Sequence, residues 1–135
     1  MQKHYTIPSS LDGLLVIQDP SKVINCVKNH NHCCRFEFGN SLYPILKSGQ
    51  FCELIPISDG IIDTGDIVFC KVNGVYMTHM VEIVNNATGY CKIVDTQGNC
   101  YGWAKKEDVY ALAGPMEHVM SERPFYVFRE SDTNS

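Results

Sequence analysis

The sequence predicts a mainly β, single-domain fold, small and strongly bent, with one short N-terminal helix. Three observations carry this. From residue 34 onward, short apolar segments alternate with Gly, Asn and Asp turn signals, as in small all-β domains. A chain of 135 residues suits one domain and leaves no room for two. Hydrophobic residues make up 44% and charged residues 19%, enough apolar material for one core and against disorder in the bulk of the chain.

The helix comes first. Asp19-Pro20-Ser21-Lys22 reads as an N-cap followed by proline at the first helical position. Val23, Ile24 and Val27 then share one face, and the helix ends near Asn29-His30-Asn31. Cys34 to Phe38 alternates as a strand and breaks at Gly39-Asn40. Ser41 to Lys47, with Pro44, reads as a turn. Phe51 to Ile55 is the next strand, followed by turns at Asp59-Gly60 and Thr64-Gly65-Asp66. Ile67–Val72 and Val75–Val84 flank Asn73-Gly74, the strongest short hairpin signal in the chain. Tyr90–Val94 returns after a turn at Asn85-Asn86, and Gln97-Gly98-Asn99 turns again. Tyr101–Ala104 and Val109–Ala113 are short strands on either side of Lys105–Asp108. The division expected is an N-terminal segment over 1–33, a β domain over 34–114 and a tail over 115–135. In that tail Phe125–Phe128 is apolar enough to dock, and Ser131–Ser135 is polar and expected to be disordered.

Several function classes drop out. Apolar runs such as Leu14–Val16 and Ile67–Cys70 fall far short of the ~18 residues a membrane helix needs. Met1–Ser10 holds no apolar run of secretory length, so no signal peptide is expected. A formal net charge of -4 gives no basic footprint for nucleic acid. The seven cysteines (Cys26, Cys33, Cys34, Cys52, Cys70, Cys91 and Cys100) are odd in number and several sit in strands. They read as reduced core or near-core thiols of a cytoplasmic protein. His30-Asn31-His32-Cys33-Cys34 packs four metal-ligand types together. Adjacent residues rarely reach one tetrahedral ion, and no C-x-x-C pair answers them, so a polar loop is expected there and no metal or cofactor.

Ser41 is placed for chemistry. It follows a glycine break at a strand end, where its own N–H is free to face a developing oxyanion. A serine needs a base within hydrogen-bond reach. His79, in the apolar strand Tyr76-Met77-Thr78-His79-Met80, is the candidate, because partial burial would hold it neutral near pH 7. The bland alternatives are a turn serine and a satisfied core histidine. Asp95–Trp103 likewise reads as a hairpin with Trp103 as a core or surface aromatic, against a ligand-stacking role.

The stretch Gly39-Asn40-Ser41-Leu42-Tyr43-Pro44-Ile45-Leu46-Lys47-Ser48-Gly49-Gln50 resembles the G-[ND]-S-M-x-P-x-[IL]-x-x-G-D box of the LexA/signal-peptidase type of serine peptidase. Ile62-Asp63-Thr64-Gly65-Asp66-Ile67-Val68 resembles the second box of that superfamily, G-D-[IV]-V, and Tyr76-Met77-Thr78-His79-Met80-Val81 the third, which carries the base. Tyr90–Val94 with Asp95 resembles the later strand that reads toward G-D. The boxes stand in the superfamily's order over about residues 34–113. The resemblance implies a single coiled, partly closed β domain and a dyad with Ser41 as nucleophile and His79 as general base. Asp95 would orient His79, or Asn99 if Thr96-Gln97-Gly98-Asn99 aligns with T-K-G-D; Lys71 is a weaker base. Histidine in place of lysine is similar to the endoplasmic-reticulum and archaeal branch and to phage and bacterial cytosolic members, so a host cytoplasm or a virion is the location implied. Leu42, Gln50, Met80 and Val94 depart from the boxes, which bears on activity more than on fold.

Two functions remain. One is a soluble serine peptidase that cleaves a protein or peptide substrate in trans through Ser41 and His79. Self-cleavage is not expected, since no alanine and no Cys-Gly precede Ser41 and Ala113-Gly114 lies downstream. The other is an inactive domain of the same fold serving binding or assembly, as in a phage structural protein. Neither calls for sequence-specific nucleic acid binding or a membrane span, and the apolar tail suits a homo-oligomer.

Overall fold

The computed structural model describes residues 4–6, 15–39, 41–46, 48–57, 61–115 and 125–126. Its elements are β1 (His4–Thr6), β2 (Leu15–Val16), α1 (Pro20–Lys28), β3 (Cys33–Glu37), β4 (Gln50–Pro56), β5 (Ile67–Val72), β6 (Val75–Asn85), β7 (Tyr90–Val94), β8 (Cys100–Lys105), β9 (Val109–Pro115) and β10 (Phe125–Tyr126). The fold is mainly β, as the turn punctuation predicts. The main sheet runs β2-β3-β4-β9-β5-β6-β7-β8, antiparallel throughout except that β2 lies parallel to β3. β1 and β10 pair antiparallel in a sheet of their own, which takes in Phe125 and Tyr126 of the expected tail. The expected docking of Val127 and Phe128 and the polar end at Ser131–Ser135 lie outside the described residues.

Local chemistry explains the elements. Asp19 caps α1, its carboxylate accepting from the Ser21 N–H at 2.9 Å and the Ser21 hydroxyl at 2.8 Å, and Pro20 takes the first helical position. The helix stops at Lys28, and His30 turns the chain away at φ +62°. Val23 and Val27 are buried against the sheet. Asn73 and Gly74 both have positive φ, the condition for a two-residue turn whose twist matches its strands, and β5 and β6 pair from Ile67↔Met80 to Val72↔Val75.

The core has two parts. One lies between α1 and the sheet, where Val23, Val27, Cys33, Leu54, Phe69 and Ala111 meet Leu42 and Leu46 of the turn after β3. The other lies inside the bend of the sheet, among Val68, Val72, Val81, Ile93 and Ala104. Burying each such aliphatic side chain contributes about 1.5–3 kcal/mol. The bend brings β8 back onto the β5–β6 hairpin. At Gly102 a Cβ would sit 2.9 Å from Val72 Cγ1, so only glycine permits the approach. None of the seven cysteines is in a disulfide; five are buried, Cys26 is half-buried and Cys100 is exposed. Burial pushes the Cys34 and Cys70 thiols up to about 12, which makes them packing groups rather than nucleophiles. No helix among the described residues is long and apolar enough to cross a membrane.

Candidate functional site

A cleft of about 190 Å³ opens between the end of β3 and the first half of β6. Glu37, Phe38 and Gly39 line it from β3 and its exit, Ser41, Leu42 and Leu46 from the following turn, and Met77, Thr78 and His79 from β6. Ser41 and His79, distant in sequence, thus face one space.

The turn that carries Ser41 is fixed from both sides. Leu42 and Leu46 are buried in the core, and the Leu46 N–H donates to the Leu42 carbonyl at 3.0 Å. Gly49 closes the loop by donating to the Glu37 carbonyl at 2.7 Å, and the Ser48 hydroxyl accepts from the Gly39 N–H at 3.0 Å. The Tyr43–Pro44 peptide is cis. On the far side, Thr96 in the β7–β8 turn donates its N–H to the Ser41 carbonyl at 3.0 Å. Its hydroxyl lies 2.7 Å from the Tyr43 carbonyl and 3.1 Å from that of Ser41. Among the described residues the Ser41 N–H has no acceptor. A donor so placed is of the kind an oxyanion hole needs.

His79 lies on β6 opposite Val68. Among the described residues the strand from Val75 to His79 pairs with β5 alone; its pairing with β7 begins at Met80. The imidazole is half-buried, and burial draws its pKa below 6.5 against the opposing pull of the Asp95 charge, so the ring is neutral at pH 7. Its Nδ1 is buried with no hydrogen-bond partner among the described residues. Among the described residues no hydrogen bond joins Ser41 Oγ to the ring.

Asp95 is buried just beyond β7. Oδ1 accepts from the Gln97 and Asn99 N–H groups, each at 2.9 Å. Oδ2 accepts from Asn99 Nδ2 at 2.9 Å and from the Tyr101 hydroxyl at 3.1 Å. These bonds, the Asn99 amide foremost, hold the carboxyl below its ordinary range. Among the described residues no hydrogen bond joins Asp95 to His79, on which the carboxylate acts only by its charge, and Asn99 serves the turn. What touches His79 is Tyr101, its ring stacked on the imidazole at 4.1 Å between centroids and 12° between planes. Lys71 does not line the cleft; its ammonium lies 5.4 Å from the centre of the Tyr76 ring.

Sequence reasoning missed Glu37, Thr96 and Tyr101. Glu37 sits at the cleft wall with Oε2 accepting from the Thr78 hydroxyl at 2.8 Å. Arg35 Nε lies 2.9 Å from the same oxygen, close enough for an ion pair but off the line of a directed hydrogen bond. Burial raises the Glu37 carboxyl despite both partners. The alternation of Arg35 and Glu37 along β3 was the available signal. Tyr101 and Thr96 carried none, because both act across the fold.

At the His30–Cys34 loop, His32 Nδ1 meets Glu53 Oε2 at 2.9 Å on the surface. Among the described residues no three His, Cys, Asp or Glu side chains converge as a metal site would require. Trp103 lies exposed on β8. No family model, no curated protein and no solved structure matches the chain.

Proposed function

We propose that this chain is a soluble serine peptidase of the LexA/signal-peptidase type, cleaving a protein or peptide substrate in trans. The observation that carries the reading is the shared cleft: Ser41, whose N–H meets no acceptor among the described residues, faces the same space as a neutral His79. The Ser41 hydroxyl attacks the scissile carbonyl carbon as His79 takes its proton. The Ser41 N–H stabilises the oxyanion. Collapse expels the amine, which receives the proton back from His79 and leaves an ester on Ser41 Oγ. Water, deprotonated by the same imidazole, hydrolyses that ester. The edge of β6 that β7 leaves open, Val75–His79, suits an extended peptide added as a further strand, with exposed Phe38 at the mouth for an apolar side chain.

The test is labelling of the full chain by a fluorophosphonate probe. Ser41 should be modified, and Ser41→Ala and His79→Ala should each abolish the adduct; a wild-type chain that stays unlabelled removes the peptidase reading. The second reading is an inactive domain that keeps the fold for binding or assembly. The orphaned His79 Nδ1 favours it, since nothing there fixes the tautomer a general base needs.

A further inference from the structure

We infer that Tyr101 is the positioning residue of His79, holding the imidazole plane by stacking where a direct carboxylate partner is absent. The inference rests on the peptidase reading for its catalytic meaning, but not for its geometry.

Three observations converge. The rings lie nearly parallel at 4.1 Å, so the imidazole cannot swing without losing the contact. The tyrosine is itself fixed, because its hydroxyl donates to Asp95 Oδ2 and its backbone belongs to β8. Asp95 in turn is locked by three donors from its own turn. The buried Nδ1 has no acceptor among the described residues, so no hydrogen bond at that nitrogen orients the ring. With Nδ1 buried, the peptidase reading assigns Nε2 to the cleft and to Ser41. The chain Asp95–Tyr101–His79 thus fixes the ring's plane but not its tautomer. The same turn reaches the other half of the dyad through Thr96 and the Ser41 carbonyl. One hairpin therefore sets both partners.

Among the described residues the titratable groups around the imidazole are Asp95 beyond β7, Tyr101 on β8 and, across the cleft, Glu37 on β3. Removing the Tyr101 ring lets water reach His79 and takes away the tether to Asp95. Tyr101→Phe keeps the stack and loses only the hydroxyl.

The experiment is a proton NMR titration of His79 in the full chain, its signals assigned by their loss in His79→Gln, alongside the rate of probe labelling. In the wild type the His79 ring protons should be shifted upfield by the stacked tyrosine. In Tyr101→Ala that shielding should vanish, the titration midpoint should rise by about half a pH unit, and labelling should slow about tenfold or more. Tyr101→Phe should keep the shielding and label within about threefold of the wild type. Wild-type ring protons without upfield shielding overturn the inference without recourse to any variant. So does a folded Tyr101→Ala chain with unchanged midpoint and labelling. A wild-type chain that shows the shielding but never labels retains the clamp and loses the peptidase.

Discussion

Thr96 holds Ser41: its backbone N–H and its hydroxyl both reach the Ser41 carbonyl, at 3.0 and 3.1 Å, across the gap between the β7–β8 turn and the turn after β3. The hydroxyl's shorter contact, 2.7 Å, is to the Tyr43 carbonyl. Two loops far apart in sequence are thereby locked at the residue proposed to be the nucleophile. Thr96→Val keeps the N–H and the shape while deleting the hydroxyl. Stability should fall by about 1 kcal/mol, measured by urea unfolding. Labelling of Ser41 should slow as the turn loosens; an unchanged rate would show that the backbone bond alone positions it.

Gly102 tests the coil of the sheet. Its φ of +130° and the 2.9 Å approach to Val72 both exclude a side chain. Gly102→Ala should cost about 1–3 kcal/mol. Gly114, in β9, has no atom of the described residues within 4 Å of its hypothetical Cβ, so Gly114→Ala should stay within about 0.5 kcal/mol of the wild type. Equal effects in denaturant titrations would mean that β8 does not close onto β5.

The sequence made the strands visible because their punctuation is local. Asn73-Gly74 can take positive φ at both positions, and Asp19-Pro20 starts a helix by chemistry contained in four residues. Strand order is not local. Nothing in Val109–Pro115 announces that it runs between β4 and β5, and two-residue β2 carries too little pattern to be seen. The site divides in the same way. Ser41 and His79 could be singled out by residue type and by resemblance to motif boxes. Asp95 could be singled out too, but its hydrogen bonds go to its own turn and to Tyr101. The ring that does reach His79 is brought there by the bend of the sheet, which no spacing encodes.

Glu37 makes stability fall as pH rises. Burial lifts its folded pKa above the ordinary 4.5, so the native chain binds more protons than the unfolded one in that window. The contribution is fully present below 4.5 and is lost as pH climbs through the folded pKa. Glu37→Gln keeps an acceptor for Thr78 and removes the titration, while leaving Arg35 without its counter-charge. Relative to the wild type, the variant should therefore be more stable at pH 7 than at pH 4.5. Thermal unfolding at both pH values reads the difference; a variant that loses ground on going to pH 7 would mean that the Arg35 ion pair outweighs burial.

His79 works with the opposite slope. Its folded pKa is depressed, first by burial, so below 6.5 the unfolded chain takes up protons that the folded chain refuses. Stability should decline as pH falls from 6.5 toward the folded pKa, and His79→Gln should flatten that part of the profile. The same depression puts the proposed base in its neutral form at pH 7. Labelling of Ser41 should already be on its plateau there and should fall to half its maximum below pH 6.5. A half-maximum above 6.5 would mean that the Asp95 charge, not burial, governs the imidazole, and the neutral general base proposed for pH 7 would then have to be given up.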